Sequence, residues 1–355
     1  MKKLVLAVLA LGAVAACTKS AVQYEQPGEI SLQPVAQKAT KAAVDGTTYP
    51  EELNFKVWSW WGNSEAGTAA SAAFSTPYIN AGEFCYNEDK SSWGGVTPYY
   101  WPTKGSLVFA GYSPASADGN FNYSLETKTF TVGEYIQSND IKNTKDLMWF
   151  DVTNKSYNQN VSENQGIPVT FNHALSWLTF KFNLKESTTA EMWTITDVTL
   201  KGIEDKATFT AVKGATPKWS TAEKSAEGMD VVNVYNAGEG TGYTVAYVNG
   251  GTVLPETDVV AGTNARNNAV LLIPQSCAKA DASIVITYDM KTYVGDGVLT
   301  GQTVELPLEG DQIDDNKWEP GKHYIYTITF GANEILIAPT VTEWDTVNVA
   351  PINVQ

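Results

Sequence analysis

This sequence predicts an all-β chain built from tandem antiparallel β-sandwich domains. Three observations carry that prediction. Runs of residues that alternate apolar and polar recur along most of the chain, and alternation with a period of two is the signature of half-buried strands. The runs are rich in Thr, Val, Tyr and Phe, the residues that fit a pleated, half-buried surface. No long stretch carries a helical stripe, and Gly, Asn and Asp punctuate the runs as turn residues.

The elements follow in order. Lys2 and Lys3 precede the apolar run Leu4–Ala16, which is shorter than the roughly 20 residues a bilayer core requires and suits the apolar region of a signal peptide. The run ends Val14-Ala15-Ala16-Cys17, which resembles a bacterial lipobox; residues 1–16 read as a lipoprotein signal peptide with lipid on Cys17. An ordinary signal peptide with a nearby cysteine is the other reading. Residues 17–45 are polar and read as a tether. Inside it, Ile30 and Leu32 alternate with Glu29, Ser31 and Gln33 as a short strand that continues to Val35. Leu53, Phe55 and Val57 then face one way, with Trp58 and Trp60 on the opposite face. Leu107–Tyr112 is more continuously apolar and ends at Ser113-Pro114.

Thr153–Gly166 is rich in Asn, Ser and Gln and cannot supply a buried strand, so the domain boundary falls there: an N-terminal sandwich over 46–160 and a C-terminal one over 161–355. Beyond it, Leu178, Phe180, Phe182 and Leu184 form one strand face. Tyr243, Val245 and Tyr247 form another, as do Ile284, Ile286 and Tyr288, and then Tyr324, Tyr326, Ile328 and Phe330. The last segment stays apolar through Ile335, Ile337 and Val341, and then Trp344, Val347, Val349, Ile352 and Val354. A terminus this apolar calls for a partner, either its own sheet edge or another subunit.

Composition narrows the chemistry. A net charge of −15 excludes nucleic acid as a partner, because phosphate neutralisation needs a basic face. Two histidines, His173 and His323, leave little room for His-based catalysis, and each reads as a structural histidine at a strand entrance. Nucleotide, P-loop, hydrolase-elbow and zinc-protease motifs are all absent, so neither catalysis nor a cofactor is expected. Asp311, Asp314, Asp315 and Asn316 read as a solvated turn, with calcium the other reading. Cys85 and Cys277 read as two buried thiols, although an exported compartment would permit a disulfide. Trp58, Trp60 and Trp61, with Trp93, Tyr99, Tyr100 and Trp101, suit core or subunit packing; a surface lipoprotein that binds glycans through them is the alternative.

Several segments carry a family resemblance in order. They are the lipobox; Tyr99-Tyr100-Trp101-Pro102 with Leu107–Pro114; Asp146-Leu147-Met148-Trp149; and Val169–Ser176. Leu271-Leu272-Ile273-Pro274-Gln275 comes next, then Trp318–Ile328 and Val341-Thr342-Glu343-Trp344. Together they resemble the fimbrillins of the Mfa-like kind, lipoprotein pilins of type V pili. The resemblance implies two transthyretin-like β-sandwiches and a structural, non-catalytic role in a surface pilus that supports adhesion. It also implies a lipidated outer-membrane precursor that a protease trims and that joins other copies or related pilins by strand exchange. The family cut commonly follows Arg; here Lys38 and Lys41 are the candidates. The segment holding Ile30, Leu32 and Val35 is then the removable strand, and the segment holding Trp344, Val347, Val349, Ile352 and Val354 is the donor.

Overall fold

The computed structural model describes residues 28–36, 49–63, 74–138, 143–155, 166–186, 193–225, 231–238, 242–247, 251–253, 270–278, 281–291, 297–331 and 335–343. The first strands are β1 (Ser31–Ala36), β2 (Phe55–Gly62), β3 (Phe74–Asn87), β4 (Ser92–Gly95), β5 (Ser106–Ser113), β6 (Asn120–Ser124), β7 (Thr129–Ile136), β8 (Met148–Lys155) and β9 (Ile167–His173). The rest are β10 (Ser176–Leu184), β11 (Trp193–Lys201), β12 (Lys206–Val212), β13 (Lys218–Trp219), β14 (Val231–Asn236), β15 (Tyr243–Thr244), β16 (Thr252–Val253), β17 (Val270–Leu272), β18 (Ser283–Lys291), β19 (Val298–Pro307), β20 (Lys322–Phe330) and β21 (Ile335–Glu343). The helical residues among them form only short 3-10 turns, at Glu88–Lys90 and Asp314–Asn316.

Seven strands close into a barrel in the order β1-β4-β3-β2-β5-β8-β9. Its interior is filled by Phe55, Val57, Phe84, Phe109, Phe150, Phe171 and their neighbours, and the rings meet mostly edge to face at centroid distances of 5–6.5 Å. Strand alternation decides what the outer face carries. Trp58 on β2, Ala110 and Tyr112 on β5 and Trp149 on β8 point away from the barrel interior and are buried in a second core. That explains why Leu107–Tyr112 is apolar at every position: both faces of β5 are covered. Gly111 belongs to this crowding, since a Cβ there would lie 2.4 Å from the Phe150 ring and 2.3 Å from the Lys56 carbonyl oxygen.

The cover is a four-stranded sheet, β13-β12-β7-β6, which takes two strands from either side of residue 161. Phe130, Val132 and Phe209 press from it onto the barrel's outer face, and onto Trp177, Leu271 and Ile273 beyond. β9, which follows the polar Thr153–Gly166 stretch, pairs with β1 and β8 in the barrel.

The remaining strands form a sandwich. One sheet runs β16-β10-β20-β21 with β17 also on β10; the other runs β14-β11-β18-β19 with β15 also on β11. Leu178, Phe180, Phe182 and Leu184 on β10 and Tyr324, Tyr326, Ile328 and Phe330 on β20 face Val198, Leu200, Ile284 and Ile286 across the core. The Tyr243–Tyr247 run departs from the expectation: β15 is two residues long, and Tyr247 is exposed. Two ladders run parallel within these otherwise antiparallel sheets, β1 with β9 and β10 with β20. The first of them closes the N-terminal strands into a barrel where two open sheets were expected.

Candidate functional site

The seam that β1 fills is the most distinctive site in the molecule. β1 pairs in parallel with β9 from Leu32↔Ile167 to Ala36↔Phe171, and antiparallel with β4 only at Ser31↔Gly94 and Leu32↔Trp93. Its entry is held by a third segment. The Ile30 amide donates to the Tyr99 carbonyl at 2.7 Å, and the Trp101 amide donates to the Gly28 carbonyl at 3.0 Å. Lys90 pairs with the Glu29 carboxylate above that entry. Ile30 and Leu32 are wholly buried and share the barrel core with Tyr49, Trp93 and Phe171.

Gly166, with φ +60°, opens β9, and a Cβ on it would lie 2.9–3.1 Å from the Ser31 and Leu32 backbone. Glycine is required there on both counts, left-handed backbone and close approach. Pro34 is buried and lies past the last β4 pair, where β1 has β9 alone as its neighbour, a place where a missing N–H is tolerated.

Among the sequence-predicted site residues, Ile30 and Leu32 therefore sit together in the barrel core, and Val35 pairs through its backbone with Thr170. Cys17, Lys38, Lys41, Trp344, Val347, Val349, Ile352 and Val354 lie outside the described residues. The chain leading to the last five is β21, an edge strand paired with β20 along its full length, from Phe330↔Ile335 to Lys322↔Glu343. Its Pro339 is compatible with that edge position.

The aromatic clusters are packing elements. Trp58 packs on Tyr112 and Trp60 on Tyr123 at ring distances of 5.5 and 5.2 Å. Trp61 donates its indole N–H to the Lys104 carbonyl at 2.8 Å, and Trp93 and Trp101 are buried. Of the seven residues, Tyr100 alone is exposed.

Both histidines are buried. His173 Nδ1 lies 3.0 Å from Asp146, tying the entry of β8 to the end of β9. His323 stacks on Trp177 at 3.6 Å and meets Thr179 Oγ1 at 2.9 Å; burial, helped by Lys181, pulls its pKa down to about 3. Cys85 and Cys277 are both free, and burial pushes the Cys277 thiol up to about 12. Asn316 accepts from the Gly310 amide within its acidic turn, and no group of three or more His, Cys, Asp or Glu gathers in metal-binding fashion among the described residues.

Two of the segments that carried the resemblance form polar knots within the fold. Trp318, wholly buried, donates to Tyr326 Oη at 2.9 Å, and Tyr326 in turn donates to the Leu308 carbonyl at 2.8 Å. The Gln275 side chain accepts from the Glu204 amide and donates to the Glu204 and Ile273 carbonyls. Sequence reasoning missed Gly166, the Glu29–Lys90 pair and the Tyr99–Trp101 mate of β1. Only Gly166, a glycine closing a polar linker just before a strand, left a readable signal.

A family model described as fimbrillin-like matches residues 40–344. No curated protein matches the sequence. Among solved structures, a fimbrial protein from Bacteroides vulgatus is 17% identical with a TM-score of 0.55, covering 89% of this chain and 99% of its own. A cell adhesion protein from Bacteroides ovatus, so described provisionally, is 15% identical with a TM-score of 0.49, covering 91% of this chain and 99% of its own.

Proposed function

This chain belongs to the fimbrillin-like family, and from that premise we propose that it is a structural subunit of a cell-surface pilus that polymerises by donor-strand exchange. Export as a precursor lipidated at Cys17, held at the outer membrane, precedes a cut after Lys38 or Lys41. Trimming removes β1 and opens the barrel between β4 and β9. The C-terminal segment of another copy, carrying Trp344, Val347, Val349, Ile352 and Val354, then fills the opening; backbone ladders give affinity and buried alternate side chains give specificity. Such head-to-tail contacts do not close on themselves, so they build filaments.

The observation that carries the reading is the position of β1. It precedes both lysines in the chain, yet it plugs the barrel with two fully buried aliphatic side chains and a parallel ladder. A strand placed there can be lost only if another replaces it, because an open barrel leaves unpaired edges and exposed core. Removal of Glu343–Gln355 tests the reading. The truncated subunit is expected to keep its β circular dichroism and, after mild trimming, to stay monomeric where the full chain forms heat-sensitive ladders. Ladders from the truncated subunit would overturn it.

A further inference from the structure

We propose that the terminal segment enters the barrel of the next copy in a single register, with Val347 at the Ile30 position and Ile352 at the Val35 position, parallel to β9; this rests on the donor-strand reading above. The inference comes from setting the tail against the strand it would replace. Residues 30–35 read Ile-Ser-Leu-Gln-Pro-Val, and residues 347–352 read Val-Asn-Val-Ala-Pro-Ile. Aliphatic, polar, aliphatic, proline and β-branched residues recur at the same spacing.

The geometry of β1 says why that pattern is needed. Leu32 and Pro34 pair with Ile167 and Val169, all four buried, so these positions face the barrel interior. Gln33 pairs with Pro168, and both Pro168 and the next alternate β9 residue, Thr170, are exposed, so that set of β9 positions faces outward. Val347, Val349 and Pro351 would then occupy the interior positions, and Ile352 would lie on the outer face beside Thr170. The proline fixes the register. β1 tolerates one at residue 34 because its ladder with β4 ends at Leu32. A shift that carried Pro351 back to the Leu32 or Ser31 level would set a residue without an N–H between two neighbouring strands.

The other aliphatic pair of the tail fits less well. With Ile352 and Val354 at the Ile30 and Leu32 positions, Pro351 would fall at the Glu29 level, ahead of the β9 ladder that runs from Leu32 to Ala36, and would not match Pro34. The proposed register spans that ladder with residues 349–353 and sets proline on proline.

Engineered cysteine pairs test the register. Thr170→Cys is combined in turn with Ala350→Cys, Ile352→Cys and Val354→Cys in the full chain. After mild trimming, each variant is run heated and non-reduced, with the parent carrying only Cys85 and Cys277 as control. Neighbouring strands at direct register place Cα atoms within disulfide reach, and two residues of slip add about 6.6 Å. The Ile352 variant is expected to give a covalent ladder at least tenfold stronger than the other two, collapsing on reduction. Stronger ladders from Ala350 or Val354 would overturn the register while leaving donor exchange standing, and so would polymers without cross-links in any variant. A cross-linked monomer would mean that the tail fills its own barrel and would overturn the assignment to a second copy. Sedimentation of the trimmed parent separates the two claims: if it remains monomeric, the donor-strand reading falls and the register falls with it.

Discussion

Trp318 shows how one side chain holds a turn to a strand. It is fully buried, its indole N–H meets Tyr326 Oη, and its own amide donates to the Gln275 carbonyl at 2.9 Å. Trp318→Phe removes the donor to Tyr326 Oη, which keeps its bond to the Leu308 carbonyl, and leaves a small void; the expected loss is about 1–3 kcal/mol by denaturant titration. His323 makes stability depend on pH. Its folded-state pKa of about 3 lies below the unfolded value of about 6.5, so the unfolded chain takes up the proton first. The neutral ring's contribution is complete above about pH 6.5 and drains away as the pH falls toward 3. Over that window the wild-type protein should lose up to about 1.4 kcal/mol per pH unit more than His323→Gln, as read by urea titrations at stepped pH. Residues of this kind were legible as a recurring segment, but their roles were not. Nothing in Trp318-Glu319-Pro320-Gly321-Lys322-His323 says that the histidine will stack on Trp177, since that contact joins strands far apart in sequence.

At the scale of the element, β1 is short, yet Leu32 within it and Ile30 at its entry are wholly buried. Leu32→Ala removes buried aliphatic volume from the barrel and should cost about 2–5 kcal/mol in the untrimmed chain. In trimmed material the same substitution should have no effect, because the strand is gone; thermal melts of both forms make the comparison. Gly166→Val should destabilise the untrimmed barrel most, since it drives a branched side chain into the β1 backbone. The alternation of Ile30 and Leu32 made this strand readable, as it did β10, β18 and β20. Its partner was not readable: parallel pairing with β9 spans more than 130 residues of chain, and no periodicity encodes a register over that distance. The tryptophans of β2 illustrate the same limit. Alternation placed Trp58 opposite Phe55 and Val57, but only the cover sheet decides that its face is buried.

At the scale of the whole molecule, the proposed lipid anchor makes a prediction of its own. Cys17→Ala should move the precursor from the membrane fraction to the soluble one or stop its export, as read by fractionation and blotting; unchanged membrane association would refute lipidation there. All-β architecture was legible throughout, because strand period and turn residues are local signals. The division of labour among strands was less so: β6 and β7 pair outside the barrel, with β12 and β13, and lie over its outer face, a choice made by packing. That shared sheet has a mechanical meaning. In a filament under flow, tension would enter a subunit at the barrel seam and leave through the edge strand that leads to the tail. Between those points lies a sheet with strands from each side of the chain, β7 paired with β12, and Asp151 on the barrel ties that sheet down by accepting from Tyr123 on β6 at 3.1 Å. A pull would have to shear hydrogen-bond ladders before it could stretch a linker. Each subunit should therefore yield as one stiff link, with a single rupture peak instead of two in force spectroscopy.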